Sequence, residues 1–332
     1  GWMACGGCPG ERLEFSPEDM KKYAGGYAQG WDALGTGREE RMKKVGLLEE
    51  EWELTERDPR IPPWEEAENK EWQSHRMEVY AAQIDRMDQG IGRILNALKK
   101  KNALDNTLIF FLADNGGCAE ELSEHWSGDF ITWETRDGEE VAVGNKPDIM
   151  PGAEDTYQSY GVPWANVSDT PYRLYKHYVH EGGIASPLIV HWPEGISAQN
   201  EFREEPGHLI DIMSTCVDVG GADYPAVMND KDIHPMEGKS LLSVFKNESL
   251  DRDALFWEHE GNRAVRMGDW KLVARQRGGS NEWELYNLAA DRTETENLAG
   301  DHPGRVEEMK KQWMDWANRV NALPWPWEAE PI

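Results

Sequence analysis

The stretch "LIFFLADNGG", residues 108–117, combines an apolar run with a polar, glycine-rich ending. Six apolar residues end abruptly in a carboxylate, an amide and two glycines. Such an apolar run is typical of a buried strand, and Asn-Gly is a common turn, so turn chemistry alone explains the ending. A second interpretation starts from position, since ligands bind at the carboxyl ends of strands in open α/β sheets. Asp114 and Asn115 carry the hard oxygen donors that Ca²⁺ or Mg²⁺ prefers, and the glycines let other groups approach the backbone.

A long amphipathic helix is predicted just before this strand, in "SHRMEVYAAQIDRMDQGIGRILNALKKK", residues 74–101. Its apolar residues recur at three- and four-residue steps, which is the period of a helix. Lys99, Lys100 and Lys101 suit the negative end of the helix dipole. A helix that leads into a buried strand is the repeating unit of an α/β layer fold.

The predicted secondary structure after this strand changes in character at about residue 250. Before it we predict a short helix around 171–178, a turn at Gly182 and Gly183, a strand over 187–192 and a helix in "HLIDIMSTCVDVGGA", residues 208–222. After it come short strands separated by turns and a final amphipathic helix in residues 302–321. The sequence therefore predicts two parts, residues 1–250 and residues 251–332, with an atypical segment at 1–16.

Composition narrows the classes of function. The chain has 332 residues and a net charge of −27, and such a surface repels the phosphate backbone of nucleic acids. No apolar run reaches the length of about 18 residues that a membrane span needs. The N-terminus lacks the basic and apolar regions of a signal peptide. Cys5 and Cys8 form a lone CxxC without a second pair at zinc-site spacing, which argues against a metal site there.

Four motifs follow one another in a specific order. They are "LADNGG" at 112–117, Lys176 five residues before "EGGI" at 181–184 and "PLIV" at 187–190, "GKSLL" at 238–242, and "AVRMGDWKL" at 264–272 with "ELYNL" at 284–288. From about residue 17 to the end, this order resembles the C-terminal portion of a sulfatase of the arylsulfatase type. The resemblance implies an α/β, alkaline-phosphatase-like fold: an incomplete mixed sheet between helices over residues 1–250, and a small antiparallel sheet plus helix over 251–332.

The resemblance also implies calcium-dependent hydrolysis of sulfate monoesters. In this family a Ca²⁺ ion holds the sulfate group, and the DNG motif supplies two ligands, which correspond to Asp114 and Asn115. Lys176 corresponds to the catalytic lysine that contacts the sulfate and the leaving oxygen. A cation that touches sulfate oxygens neutralises their charge and aligns the group for attack. Without the resemblance, Lys176 would be interpreted as a solvated lysine on a short helix.

Polar side chains crowd a predicted strand end in "WEHEGNRAVR", residues 257–266. His259 and Asn262 are predicted to bind the organic part of a sulfated small molecule or glycan, with a polar hairpin turn as the alternative. The histidines outside this segment are interpreted as structural or surface residues; they include His177, His180, His191 and His208.

The chain departs from the family in its first residues. The family nucleophile is a Cys or Ser in a C/S-x-P/A-x-R motif, oxidised to formylglycine, and it follows a strand with two further Asp ligands. In Cys8-Pro-Gly-Glu-Arg12 the proline stands one residue after the cysteine instead of two, and the histidine segment that supplies the acid is replaced. We therefore expect this chain to be inactive alone.

Three functions stay open at this point. The first is a sulfatase whose nucleophile lies outside this chain, the second a phosphoester hydrolase of the same superfamily, and the third a non-catalytic remnant that binds anions or a partner. The family resemblance predicts a periplasmic or extracellular location.

Overall fold

The computed structural model describes residues 17–126, 132–276 and 279–323. Cys5, Cys8 and the atypical segment at 1–16 lie outside the described residues. The helices are α1 (Pro17–Lys21), α2 (Gly30–Lys44), α3 (Lys70–Lys100), α4 (Gly161–Ser168), α5 (Glu181–Ile184), α6 (Leu209–Val219), α7 (Leu242–Phe245) and α8 (Pro303–Val320), with a 3₁₀ turn at Trp64–Glu66. In these described parts, no helix has the length and apolar character needed to cross a bilayer.

The strands are short and form four small sheets within the described residues. Their bounds are β1 (Ile109–Leu112), β2 (Ala142–Val143), β3 (Thr156–Tyr157), β4 (Leu188–His191), β5 (Val227–Met228), β6 (Lys231–Asp232), β7 (Leu255–His259), β8 (Asn262–Met267), β9 (Trp270–Ala274) and β10 (Trp283–Asn287). Helices and small sheets are mixed along the chain from α3 onward, so the prediction of an α/β fold is confirmed.

Helix α3 leads into strand β1, as the sequence predicts. The helix begins at Lys70, four residues before the predicted start, because Trp72 near its N-terminus is buried in the protein. It ends where the next residues, Lys101 and Asn102, leave the helical conformation and Asn102 adopts a φ of 53°. Asparagine tolerates this left-handed backbone better than most residues, so it stops the helix at low cost.

Strand β1 pairs with β4 in antiparallel register, with Phe110 opposite Val190. Both side chains pack against a cluster around Phe245 of α7. The neighbouring residues Phe111 and Ile189 are 43% and 60% exposed. Within the described residues, the large mixed sheet implied by the family resemblance is therefore represented by this pair, and part of its apolar surface is open.

The loop after β1 is bound to α5 by a contact between glycines. The amide of Gly116 donates a hydrogen bond of 2.9 Å to the carbonyl of Gly183. A Cβ atom at Gly116 would overlap the carbonyl of Gly182, and one at Gly183 would overlap the carbonyl of Tyr178. Both sequence positions therefore need glycine because two stretches of backbone approach too closely for any side chain.

The predicted helix over 171–178 is wrong. Leu174 and His177 have φ values of 65° and 81°, and this left-handed backbone cannot continue a right-handed helix. Helical turns instead flank the segment, as α4 before it and α5 after it. The predicted turn at Gly182 and Gly183 lies inside α5, whose single turn begins at Glu181.

The C-terminal strands form one antiparallel sheet in the order β10-β9-β8-β7. One face of this sheet packs against α8, where Val265, Leu272 and Leu285 meet Met309 and Trp313. The predicted strands and final helix are confirmed, while the domain boundary at about residue 250 stays a prediction.

A buried ion network joins this sheet to α5. The ammonium of Lys271 on β9 lies 2.7 Å from Glu181 and 2.8 Å from Glu294, and these three side chains are at most 4% exposed. Arg292 forms a further ion pair with Glu181, and the Glu181 amide donates to Glu294 at 2.9 Å. Because buried charges need partners, this network fixes the position of the EGG turn against the sheet.

Substitution of Gly116 by alanine is expected to destabilise the protein by about 3 kcal/mol or more, because the added Cβ must displace backbone. Urea unfolding followed by circular dichroism measures the change. Gly92→Ala is the matched control: it lies inside α3 with open space around it, and we expect stabilisation of about 0.5–1 kcal/mol. Equal midpoints for the two variants would contradict the close approach.

Substitution of Lys271 by methionine removes the only positive charge that both Glu181 and Glu294 contact among the described ion pairs. We expect a loss of about 3–5 kcal/mol in the free energy of unfolding, since buried Glu294 loses its ion-pair partner and buried Glu181 keeps only Arg292 among the described residues. Lys310→Met, at an exposed pair with Glu307, should change stability by less than about 1 kcal/mol. Similar losses in both variants would show that the buried network does not hold the sheet.

Candidate active site

Asp114, Asn115 and Lys176 lie on two loops that are hydrogen-bonded to each other. Lys176 donates its backbone amide to the carbonyl of Gly117 at 3.0 Å, and Gly116 is bonded to Gly183. The segment that carries Lys176 thus runs beside the loop that carries Asp114 and Asn115. The structure brings these predicted residues to one region, while the distance between their side-chain tips stays a prediction.

Asp114 follows β1 by two residues and its side chain is exposed. Asp114 therefore lies at the carboxyl end of a strand, where the sequence places it, and the described residues leave its side chain open to solvent. Asn115 is half-buried, and its side-chain amide donates to the carbonyl of Gly116 at 2.8 Å. That bond uses the NH₂ group and thereby fixes which end of the amide is nitrogen and which is oxygen.

Asp169 forms a hydrogen bond with the backbone of the same loop. Its Oδ1 atom accepts a hydrogen bond of 2.7 Å from the amide of Gly117, and its Oδ2 atom is buried. Burial raises the pKa of Asp169 to about 8, although the Gly117 amide and the charge of Arg38 act in the opposite direction. The loop is therefore hydrogen-bonded to a carboxyl group with a pKa of about 8.

Lys176 forms an ion pair with Glu120, with its ammonium 3.4 Å from a carboxylate oxygen. Glu120 was not among the predicted site residues, although it stands only three residues after Gly117 in the predicted loop. Lys176 is 29% exposed, so an anion from solvent can reach it. Glu120 holds the ammonium in place and competes with any such anion for it.

His177 lies between two carboxylates. Its Nε2 atom is 2.9 Å from Glu120, and its Nδ1 atom is 3.2 Å from Glu260 in the turn between β7 and β8. Its ring also stacks against His259, with the ring centroids 5.7 Å apart. The interpretation of His177 as an ordinary structural or surface residue is therefore too simple, and its position beside Lys176 was the available signal. The cluster of His177, His259 and Glu260 is called the histidine cluster below.

His259 and Asn262 occupy different environments. His259 is exposed at the end of β7, where a ligand can reach it. Asn262 is fully buried; its side chain donates to the carbonyl of His177 at 2.8 Å and accepts from the amide of Gln276 at 3.0 Å. This geometry favours a positioning role for Asn262 over the predicted contact with substrate.

Burial separates His180 from the site. His180 is 1% exposed, and burial lowers its pKa, so it is a structural residue as predicted. It contacts Glu284, which also pairs with Arg173 at 2.5 Å. These contacts attach the Lys176 segment to β10, in addition to the Lys271 network.

The fold and the paired loops define an alkaline-phosphatase-like chain, and comparisons with known proteins give its family. The Sulfatase family matches residues 12–222, and a second family, N-sulphoglucosamine sulphohydrolase, C-terminal, matches residues 172–319. The chain belongs to the sulfatase family. The match begins slightly before residue 17, where the resemblance was expected to start.

The relatives and solved structures agree with this assignment. An uncharacterized sulfatase of Schizosaccharomyces pombe is 31% identical over 322 residues, which are 95% of this chain and 57% of that protein. An arylsulfatase of Klebsiella aerogenes is 30% identical over 250 residues, covering 73% of this chain and 50% of its own length. The chain thus spans about half the length of the curated relatives that it matches.

Two solved structures share the fold. One comes from work on glycosaminoglycan metabolism by Bacteroides thetaiotaomicron, with a TM-score of 0.52, 22% identity and coverage of 78% of this chain and 48% of that chain. The other is i-CgsB in complex with k-i-k-neocarrahexaose, with a TM-score of 0.50, 21% identity and coverage of 86% and 54%. These likenesses support the alkaline-phosphatase-like fold.

The raised pKa of Asp169 gives a pH dependence of known sign. Between about pH 4 and pH 8 the folded protein binds more protons at this carboxyl than the unfolded chain does, so stability falls as pH rises. Asp169→Asn keeps an oxygen for the Gly117 amide and removes the titration. The wild-type stability minus the variant stability should therefore decrease by at most about 1.4 kcal/mol per pH unit in urea unfolding. A difference that stays constant across this range would contradict the raised pKa.

Proposed function

We propose that this chain forms the C-terminal part of a sulfate monoester hydrolase, in which Lys176 contacts the transferred sulfate group. The observation that carries the proposal is the bond from the Lys176 amide to the carbonyl of Gly117. It places the lysine segment against the strand-end loop in which the sulfatase resemblance puts metal ligands. Groups that act on one small anion must converge in this way.

Asp114 and Asn115 would hold part of a Ca²⁺ ion's coordination sphere. A carboxylate and a side-chain amide oxygen are hard donors of the type Ca²⁺ takes, and the bond from Asn115 to Gly116 orients that amide. Their chemistry therefore fits the ion, but Ca²⁺ needs about six to eight oxygens. When bound, the ion would neutralise charge on the sulfate oxygens.

The residues of this chain would divide the remaining tasks. Lys176 would stabilise negative charge on the sulfate and the leaving oxygen, and Glu120 would hold its ammonium until an anion arrives. The exposed His259 would contact the organic part of a sulfated small molecule or glycan. The printed sequence contains no C/S-x-P/A-x-R motif, so the nucleophile in this proposal lies outside residues 1–332.

Substitution of Lys176 tests the proposal once the other half of the family fold is supplied. Residues 17–332 would be joined behind the preceding half of the fission-yeast relative and produced in a host that generates formylglycine. With an aryl sulfate and Ca²⁺, Lys176→Ala should lower kcat about 10²–10³-fold, since one stabilising charge is lost in the transition state. Lys311→Ala, at an exposed pair on α8, should leave kcat unchanged.

The outcomes separate the alternatives. Hydrolysis that survives Lys176→Ala in the joined enzyme would contradict the proposed role of the lysine. Faster turnover of an aryl phosphate than of the sulfate would favour a phosphoester hydrolase. The chain without the other half should show no sulfatase activity and weak Ca²⁺ binding, and Lys176-dependent turnover by it would mean that it contains a nucleophile of its own.

A further inference from the structure

We propose that the histidine cluster binds one Zn²⁺ ion, at a site distinct from the oxygen donors Asp114 and Asn115. The inference goes beyond the proposed function and does not rest on it, because metal binding by the cluster can be measured without any hydrolysis. The donors are an imidazole nitrogen each from His177 and His259 and a carboxylate oxygen from Glu260.

The distances within the cluster match those of a zinc site. The three donor atoms lie within 4.8 Å of one another, and His177 Nδ1 is 3.2 Å from Glu260 Oε2. With Zn–N and Zn–O bonds of about 2.0–2.2 Å, two ligands of a tetrahedral ion are separated by about 3.4 Å. One pair of donors already has this separation, and His259 lies on an exposed strand end where its ring can turn toward the ion.

The Nδ1 atom of His177 needs a partner. It is buried and makes no hydrogen bond to the described residues, although a Glu260 oxygen lies 3.2 Å away. A buried nitrogen without a hydrogen bond is unfavourable in a folded protein. An ion between His177 and Glu260 would use the lone pair on this nitrogen and the charge of the carboxylate together.

Contacts with Glu120 and Asn262 already hold His177 in an orientation that suits a metal ligand. Its Nε2 atom is 2.9 Å from the carboxylate of Glu120, and a metal-binding histidine almost always donates its other ring N–H in this way. That bond leaves the lone pair on Nδ1, which faces Glu260. Asn262 holds the backbone carbonyl of the same histidine at 2.8 Å.

The backbone at two of the ligands is in an uncommon conformation. His177 has a φ of 81° and Glu260 a φ of 53°, so both lie in the left-handed region that non-glycine residues rarely adopt. Such conformations cluster at ligand sites, where the surrounding structure enforces them. Here the bonds from Glu120 and Asn262 supply that enforcement at His177.

The donor set selects the metal. Two imidazoles and one carboxylate suit Zn²⁺, whereas Ca²⁺ takes oxygen ligands only. Three protein ligands leave the fourth tetrahedral position for water or for a donor atom of a small molecule. Because Glu120 contacts both His177 and Lys176, the ion would lie next to the proposed sulfate-binding lysine.

Zinc titration of the purified chain against a chromophoric chelator tests this inference. The background would be Cys5→Ser/Cys8→Ser, so that the thiol pair cannot bind the ion. We expect one equivalent of Zn²⁺ per chain, no competition from millimolar Ca²⁺, and a four-coordinate visible spectrum when Co²⁺ replaces Zn²⁺. His259→Ala should weaken binding by more than the about 10- to 100-fold that loss of an outer partner causes, and Glu120→Gln should weaken it within that range.

The control is His234→Ala, which removes an exposed histidine elsewhere on the surface. It should leave the zinc affinity unchanged. His259 is exposed, so its variant should keep the wild-type circular dichroism and urea midpoint, which separates loss of a ligand from loss of the fold. Absence of a stoichiometric zinc site in the background chain, or equal affinities for His259→Ala and His234→Ala, would overturn the proposal.

Discussion

The close approach of two backbone segments at glycine is the constraint on which the candidate site depends. The hydrogen bond from Gly116 to Gly183 joins the loop after β1 to the EGG turn, and a side chain at Gly116 would force the two segments apart. Lys176 lies between Gly116 and Gly183 in sequence, and its backbone amide donates a further hydrogen bond to the carbonyl of Gly117. The glycines after Asp114 therefore form a turn and at the same time allow the lysine segment to pack against that turn.

Buried ion pairs with the C-terminal sheet also hold the site in place. Lys271, Glu181 and Glu294 are buried together, and their ion pairs attach the EGG turn to the C-terminal sheet. A turn between β7 and β8 of that sheet carries Glu260 toward His177. The small sheet thus supports the α5 segment and also supplies side chains beside Lys176.

The periodic parts of the fold could be predicted from the sequence. Helix α3, strands β1 and β4, and the C-terminal sheet with α8 are marked by apolar spacing and turn residues, which act locally. The helix predicted over 171–178 failed because backbone contacts with the glycine loop override its local preference and hold Leu174 and His177 at positive φ. No local pattern in the sequence contains that information.

The family resemblance identified the residues that share a motif, and it missed those that depend on packing. Glu120, Asp169 and His177 meet the predicted residues only after the chain folds, and Asn262 proved to be buried between two backbone groups. Asp114 is exposed among the described residues, and so are Phe111 and Ile189 of the β1–β4 pair. The order of motifs in the sequence predicted the two loops, but the residues that contact these loops became evident only from the structure.

A crystal structure of the chain would test whether the side chains of Lys176 and Asp114 converge. We expect both side chains to face one cleft, with the ammonium within about 10 Å of the carboxylate, because groups that act on one sulfate must converge. A structure in which the Lys176 side chain extends to the opposite side of the β1–β4 pair would contradict it.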